Sequence, residues 1–424
     1  MATQHSQSTS PTFVIVGAGL AGATAAEALR SGGFDGRIVL VGAEAHRPYE
    51  RPPLSKGYLQ GRSDRGSLEV RPLRWYVDNR VELRLDTLVT KIHRHAHELE
   101  TATGAWLSYD KLLLTTGARP RRLPVPGSRL RGVHYLRTVD DSEHLRATLT
   151  PGTRVVVIGG GWIGLEAAAA ARAGGAEVTV LEHAARPLQS VLGPELAGVF
   201  ADLHTEHGVE LRCEVTVTAI RPAEGSPDRV GGVVLADGTQ VEADVVVVGI
   251  GVEPNVELAA SCGLDVDDGI VVDRHLVSSD PDILAAGDVA NASHPLLGRP
   301  IRVEHWANAL HQPVVAARTM LGEDATYDRL PYFFTDQYEL GMEYTGWVDP
   351  QREHQVVVRG DLAERKFVAF WVHRDRLAAA MNVNVWDVAE TLAGLIRDDS
   401  RVDPRALADP AVPLDQLIRS RADG

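Results

Sequence analysis

Cysteine is scarce in this chain: its 424 residues include only Cys213 and Cys262. Two thiols cannot build a disulfide framework, a four-cysteine zinc site or an iron–sulfur site. No C-x-x-C occurs, which excludes a dithiol relay. Both cysteines read as small apolar fillers, and no metal site is expected. Lysine is scarcer than usual, at Lys56, Lys91, Lys111 and Lys366, so the 43 basic residues are nearly all arginine. Against 57 acids they leave a net charge of −14. Long-range repulsion then makes it a poor general binder of nucleic acid or anionic membrane. No window of 18 consecutive apolar residues exists to span a bilayer. The opening MATQHSQSTSPT has neither a positive n-region nor an apolar h-region, so a cytoplasmic chain is expected. What is present is ordinary globular usage, 44% hydrophobic and 24% charged. At this length two or three domains are expected.

The chain repeats itself. Residues 13–30 read FVIVGAGLAGATAAEALR and residues 155–172 read VVVIGGGWIGLEAAAAAR. Each is an apolar strand, a G-x-G-x-x-G turn and a helix of small residues. The glycines are Gly17, Gly19 and Gly22, then Gly159, Gly161 and Gly164. The first of each set permits the tight turn, the second lets a pyrophosphate approach the backbone, and the third lets helix pack on strand. The phosphates would sit at the positive end of a helix dipole, beside free N–H groups. Each copy then reaches a second strand and an acid, Glu44 after RIVLVGA and Glu182 after EVTVL. A carboxylate there accepts hydrogen bonds from an adenosine ribose. The spacing predicts strands at 13–16, 37–41, 155–158 and 177–181, and helices at 20–31 and 162–173. Two such sites in one chain point to a tightly held flavin dinucleotide, FAD, and an exchanging nicotinamide dinucleotide, NAD. Glu182 favours NADH, because a carboxylate accepts from a free 2′-hydroxyl and repels a 2′-phosphate.

Three further segments fit a flavin domain interrupted in sequence. They are LLLTTGA (112–118), VVVVGIGVEPN (245–255) and ILAAGDVA (283–290). In the last, Asp288 follows a strand and a glycine, where it can hydrogen-bond a polyol such as ribityl.

Taken with RPYERPPLSKGYL (47–59), TTGARPRRLPVPG (115–127), LRTVDD (136–141), GGGWIGLE (159–166), AAGDVA (285–290), VEHWANALHQ (303–312) and PYFFTDQYELG (331–341), these motifs carry a resemblance. The chain resembles the FAD-dependent NADH:ferredoxin reductases that serve cytochromes P450 and ring-hydroxylating oxygenases, within the two-dinucleotide-binding-domain flavoprotein superfamily. The resemblance implies an α/β fold: two Rossmann-like, glutathione-reductase-like dinucleotide-binding domains and a C-terminal α/β interface domain. The FAD domain would use 11–117 and 247–325, the NADH domain 118–246, and the C-terminal domain 326–424.

The resemblance also assigns roles. Lys56, stiffened by Pro52 and Pro53, would lie at the flavin face where hydride arrives, paired with Glu166. Ala18, Ala21, Arg51, Val89, Ala118, Arg137, Asp288 and Trp306 would contact FAD, with Trp306 against the isoalloxazine at the N-terminus of a helix over about 306–320. Ile163, Arg186 and Gly251 would belong to the NADH site. Three departures from the family stand out. Ala43 holds the position where many relatives place the first ribose acid, Phe334 stands where relatives often have tryptophan, and the segment 378–396 differs.

Hydride transfer needs two stacked rings and alignment, and the cofactors carry the chemistry. With Ser55-Lys56 and no cysteine beside the flavin, a peroxidase sulfenic-acid cycle is not expected. Electrons should therefore leave singly to a [2Fe–2S] ferredoxin, and through it to a P450 or dioxygenase. Residues 47–84 hold nine basic residues against five acids and are expected to steer that acidic partner. Two rival readings stand: an NADH oxidase or a quinone or radical reductase on the same scaffold, and a redox-responsive interaction flavoprotein resembling apoptosis-inducing factor.

Overall fold

Apolar runs of four or five residues without alternation make strands covered on both faces, which is the habit of parallel sheets. Thr12–Val16 and Arg37–Val41 are two such strands, buried except at their first residue. In the computed structural model, which describes residues 10–349 and 351–417, they pair in parallel. The chain divides into two compact units. The first comprises the chain up to Glu50, Leu68–Arg119 and Glu253–Arg329. The second comprises Arg51–Ser67, Pro120–Val252 and the chain from Leu330 onward.

The first unit is built on a five-stranded parallel sheet. Its spatial order is Ile283–Ala285, Lys111–Leu114, Thr12–Val16, Arg37–Val41, Val81–Arg84. The strand from residue 283, distant in sequence, thus completes the sheet begun at residue 12. Helix Leu20–Ser31 packs against helix Trp306–Met320. The core gathers Phe13, Val14, Ile15, Ile38, Leu40, Leu112, Leu113 and Ile283. Leu113 is fully buried, so its truncation to alanine would cost about 2–5 kcal/mol.

The second unit repeats the plan. Its parallel sheet runs Glu210–Arg212, Glu177–Leu181, Arg154–Ile158, Val245–Val248, Val133–His134. Helix Trp162–Ala173 follows the central strand. A second, antiparallel sheet is made from the C-terminal segment, in the order Tyr332–Gln337, Leu340–Gly346, Arg376–Val383, Lys366–His373, Gln355–Asp361. Helix Ala389–Asp398 covers one of its faces with Leu392, Ala393, Leu395 and Ile396. Its other face shares a core with the nucleotide-type half, where Leu165, Leu196 and Phe200 meet Leu340, Met342, Phe367 and Trp371. That shared core places both parts in one unit. The turn carrying Lys56 belongs there too, with Leu59 buried among Leu145, Val157 and Ala168.

The elements expected from the sequence are found at Thr12–Val16, Leu20–Ser31, Arg37–Val41, Arg154–Ile158, Trp162–Ala173, Glu177–Leu181 and Trp306–Met320. No helix among the described residues is long and apolar enough to cross a membrane.

Candidate functional site

Each glycine-rich turn solves the same steric problem. Gly17 has φ +121°, and a Cβ on it would lie 2.1 Å from the Thr115 carbonyl oxygen. Gly22 is pressed against Gly17, where a Cβ would stand 2.0 Å from the Gly17 oxygen. Gly19, between them, faces open space, with nothing within 4 Å of a built Cβ. The turn is held by the Gly17 N–H donating to Val41 at 2.8 Å and the Thr115 hydroxyl donating to the Gly17 carbonyl at 2.9 Å. In the second unit Gly159 has φ +102° and would clash with the Gly249 carbonyl at 2.4 Å, while Gly164 would clash with the Gly159 oxygen at 2.1 Å. Gly161 has only the Gly249 oxygen, at 3.9 Å, near its Cβ position.

The glycines therefore divide by function. The outer two in each turn are required for packing, and the middle one keeps a cradle clear above the backbone. Helices Leu20–Ser31 and Trp162–Ala173 begin at Gly19 and Gly161 with no side-chain cap and no acid in the first turn. Their first N–H groups carry a partial positive charge that no side chain answers, which suits a pyrophosphate. These residues fit two dinucleotides.

The two acids expected to meet the riboses sit differently. Glu182 is half-buried and accepts from the Gly160 N–H at 2.6 Å and the Ala184 N–H at 2.7 Å, so both oxygens are oriented beside the second cradle. Arg186 is exposed and donates to the Pro194 carbonyl at 2.6 Å. Glu44 accepts from the Tyr49 hydroxyl. Neighbouring Ala43 is exposed.

Around the first cradle, Ala18 is half-buried, whereas Ala21, Val89 and Ala118 are buried. Gly287, just before Asp288, lies against the Ala21 methyl, 3.3 Å from a built Cβ, and its N–H donates to Gln312 at 2.8 Å. Trp306 opens its helix and is 36% exposed. Its indole N–H donates to Glu50 at 2.6 Å. Burial raises the Glu50 carboxyl above the usual range, and the indole hydrogen bond opposes this. The helix beginning at Trp306 also has no side-chain cap.

In the second unit, Arg51 starts a 3-10 turn over Pro52–Ser55 and donates to the Arg137 carbonyl at 2.6 Å. The turn delivers Lys56 to Glu166, Nζ to Oε1 at 2.7 Å. Glu166 is 2% exposed, on helix Trp162–Ala173. Lys56 also stands over the Phe334 ring, 5.5 Å from its centroid. Ile163 is exposed, and Gly251 has φ +92° and accepts from the Arg121 N–H at 2.9 Å.

Sequence reasoning missed four side chains that bind to this pair directly or in series. Ser55 donates to Glu166 Oε2 and Thr335 to Oε1, each at 2.5 Å, with Gln337 and His204 behind Thr335. Ser55 adjoins Lys56, and the i, i+2 spacing of Thr335 and Gln337 places both on one strand face, but nothing in the sequence points from that face to Glu166. It also missed Glu50 as the partner of Trp306.

The expected basic segment proves largely paired. Arg47 meets Glu69, Arg74 meets Asp78 and Arg84 meets Glu82, all inside the segment. Lys56, Arg65 and Arg71 take Glu166, Glu143 and Glu27 from outside it, cutting the excess over acids from four to one. Both cysteines are half-buried and free, and burial raises their thiols above the ordinary range. Among the described residues no group of three or more His, Cys, Asp or Glu side chains could hold a metal ion.

Known proteins resemble this chain in sequence and fold. The family profile described as pyridine nucleotide-disulphide oxidoreductase matches residues 11–312, and that described as reductase C-terminal matches 332–418. The ferredoxin–NAD(+) reductase component of the anthranilate 1,2-dioxygenase system from Burkholderia cepacia is 46% identical over 408 residues, covering 96% of this chain and 99% of that one. The solved covalent complex of putidaredoxin reductase with putidaredoxin contains a chain of TM-score 0.92 and 39% identity, with coverage of 96% and 98%. The ferredoxin reductase for the CYP199A2 system from Rhodopseudomonas palustris has TM-score 0.92 and 40% identity, with coverage of 96% and 100%.

Proposed function

We propose a working scheme from one premise: this chain belongs to the FAD-dependent NADH:ferredoxin reductases of the pyridine nucleotide-disulphide oxidoreductase family. It is a reductase that contains FAD, draws electrons from NADH and passes them to a ferredoxin. The finer assignments that follow are our own reading. The acceptor is a [2Fe–2S] ferredoxin that serves a cytochrome P450 or a ring-hydroxylating oxygenase. The FAD-binding domain takes 11–117 and 247–325, the NADH-binding domain 118–246, and the C-terminal domain 326–424.

Bound FAD supplies the step from a two-electron hydride donor to a one-electron acceptor. The protein's part is to bind, orient and hold charge. Gly17, Gly19 and Gly22 give FAD a backbone cradle, and Ala18 and Ala21 keep the adjoining surface low. Glu44 and Asp288 offer acceptors to sugar and polyol hydroxyls, while Val89, Ala118 and Trp306 complete the wall. Gly159, Gly161 and Gly164 cradle NADH, with Ile163 and Gly251 lining its approach. Glu182 is already oriented by two backbone N–H groups and selects the free 2′-hydroxyl. Lys56 and Glu166 form a fixed ion pair, so the ammonium keeps one position throughout turnover.

One observation carries this scheme. The chain builds two cradles of one design, in each of which the middle glycine alone could carry a side chain without a clash, and provides no thiol pair to receive electrons. The test is NADH-driven cytochrome c reduction with and without a panel of [2Fe–2S] ferredoxins. We expect turnover to require one of them. Rapid NADH consumption with oxygen alone, unchanged by any ferredoxin, would replace this reading with the oxidase one.

A further inference from the structure

A carboxylate removed from water needs donors for both oxygens. Glu166 receives three, from two separated stretches of chain: Ser55 on Oε2 and Lys56 on Oε1 from one, and Thr335 on Oε1 from the other. Lys56 supplies the counter-charge. Thr335 has no such evident duty. It is fully buried, on the edge strand Tyr332–Gln337 of the C-terminal sheet.

The hydrogens behind Thr335 are ordered. The Gln337 amide nitrogen donates to the Thr335 hydroxyl oxygen at 3.3 Å. The Gln337 amide oxygen can only accept, so the His204 Nε2 at 2.8 Å must carry the hydrogen between them. His204 Nδ1 is buried without a partner, which matches a neutral ring protonated on Nε2. The threonine hydroxyl owns one hydrogen, and that hydrogen goes to Glu166. Every donor in the series His204, Gln337, Thr335 therefore points toward the carboxylate. Such a chain polarises in one sense, so each bond strengthens the next. Thr335, Gln337 and His204 are each 1% exposed or less, so water cannot substitute for a missing member.

We propose that Thr335 is a positioning residue of the reductase, through which the C-terminal sheet fixes the Glu166 carboxylate and hence the Lys56 ammonium. The consequence for hydride transfer rests on the proposed function, whereas the positioning of Lys56 does not. Thr335 acts through Glu166.

The test uses the FAD-loaded protein labelled with ¹⁵N only at lysine. Four lysines give four side-chain signals, and Lys56→Arg identifies that of Lys56. In the native protein the Lys56 ammonium hydrogens should exchange slowly with water. Thr335→Val keeps the shape and removes the hydroxyl, and should speed that exchange roughly tenfold or more, the scale of one lost hydrogen bond to a charged group. Thr335→Ser should restore the slow exchange. The limiting rate of flavin reduction by NADH should follow the same order, with the apparent NADH affinity little changed. A folded Thr335→Val protein with native Lys56 exchange would overturn the proposal, as would a serine variant no better than valine. Should the valine variant not fold, Gln337→Met provides the check, with a smaller acceleration expected and none refuting the idea. Failure of NADH to reduce native protein would remove the reductase reading while leaving the lysine comparison intact.

Discussion

At Glu166 the cost of burial and the benefit of pairing can be weighed on a single residue. Its side chain is 1% exposed and that of Lys56 16%, so solvent screens the pair little. Removing one partner of such a pair strands the other charge, at a cost of about 3–5 kcal/mol. Lys56→Met should therefore lower stability by that order in urea unfolding, and adding Glu166→Gln should recover much of the loss. A Lys56→Met protein as stable as the native one would mean that the pair contributes nothing. The pairing of these two residues was expected, though only through the family resemblance. The two hydroxyls that share the carboxylate were not, because Thr335 lies 169 residues from Glu166 and only packing of the C-terminal sheet brings them together.

The strand–turn–helix element carries a sharper contrast. Gly17 and Gly19 are two residues apart in one motif, yet their substitutions should fail in different ways. Gly17→Ala forces a methyl into the Thr115 carbonyl at a φ of +121°, and should destabilise the first unit itself. Gly19→Val has free space for its side chain, and should fold normally while filling the cradle. We expect bound flavin to be lost with an unchanged apoprotein Tm for Gly19→Val, and a lowered Tm for Gly17→Ala. Equal Tm losses would contradict this division of labour. The helix Pro194–Glu206 adds a pH response. Burial pushes His204 down to about 4, and its Gln337 hydrogen bond offsets only part of this. Below an unfolded value of about 6.5 the unfolded chain takes a proton that the folded chain refuses until about pH 4. Stability should then fall as pH drops through this window, by on the order of 3 kcal/mol from this one group. His204→Leu should show a flatter profile of Tm against pH between 7 and 4. An unchanged slope would place the acid sensitivity elsewhere.

For the whole molecule the charge balance governs encounter with a partner. The net charge of −14 disfavours an acidic ferredoxin, and the local basic excess of residues 47–84 falls to one once Glu27, Glu143 and Glu166 are counted as partners. Exposed pairs of this kind are screened and weak. Ferredoxin reduction should accordingly slow only modestly, within about threefold, between low and physiological ionic strength. A steep decline would show that a basic surface elsewhere steers the partner. The sequence displayed the arginines but not their partners, since ion pairs across 44 or 78 residues depend on the folded path of the chain.

The local rules were all in the sequence. Glycine spacing fixed the two turns because no other residue survives the clashes at Gly17, Gly22, Gly159 and Gly164. Valine- and leucine-rich runs fixed the parallel strands because both their faces must be covered. Packing over long chain separations supplied the rest. The strand from residue 283 entered the sheet begun at residue 12, and the Lys56 turn joined the second unit. Ser55, Lys56 and Thr335 converged on Glu166, with Gln337 and His204 in series behind Thr335, because a buried charge takes whichever donors the fold brings within reach.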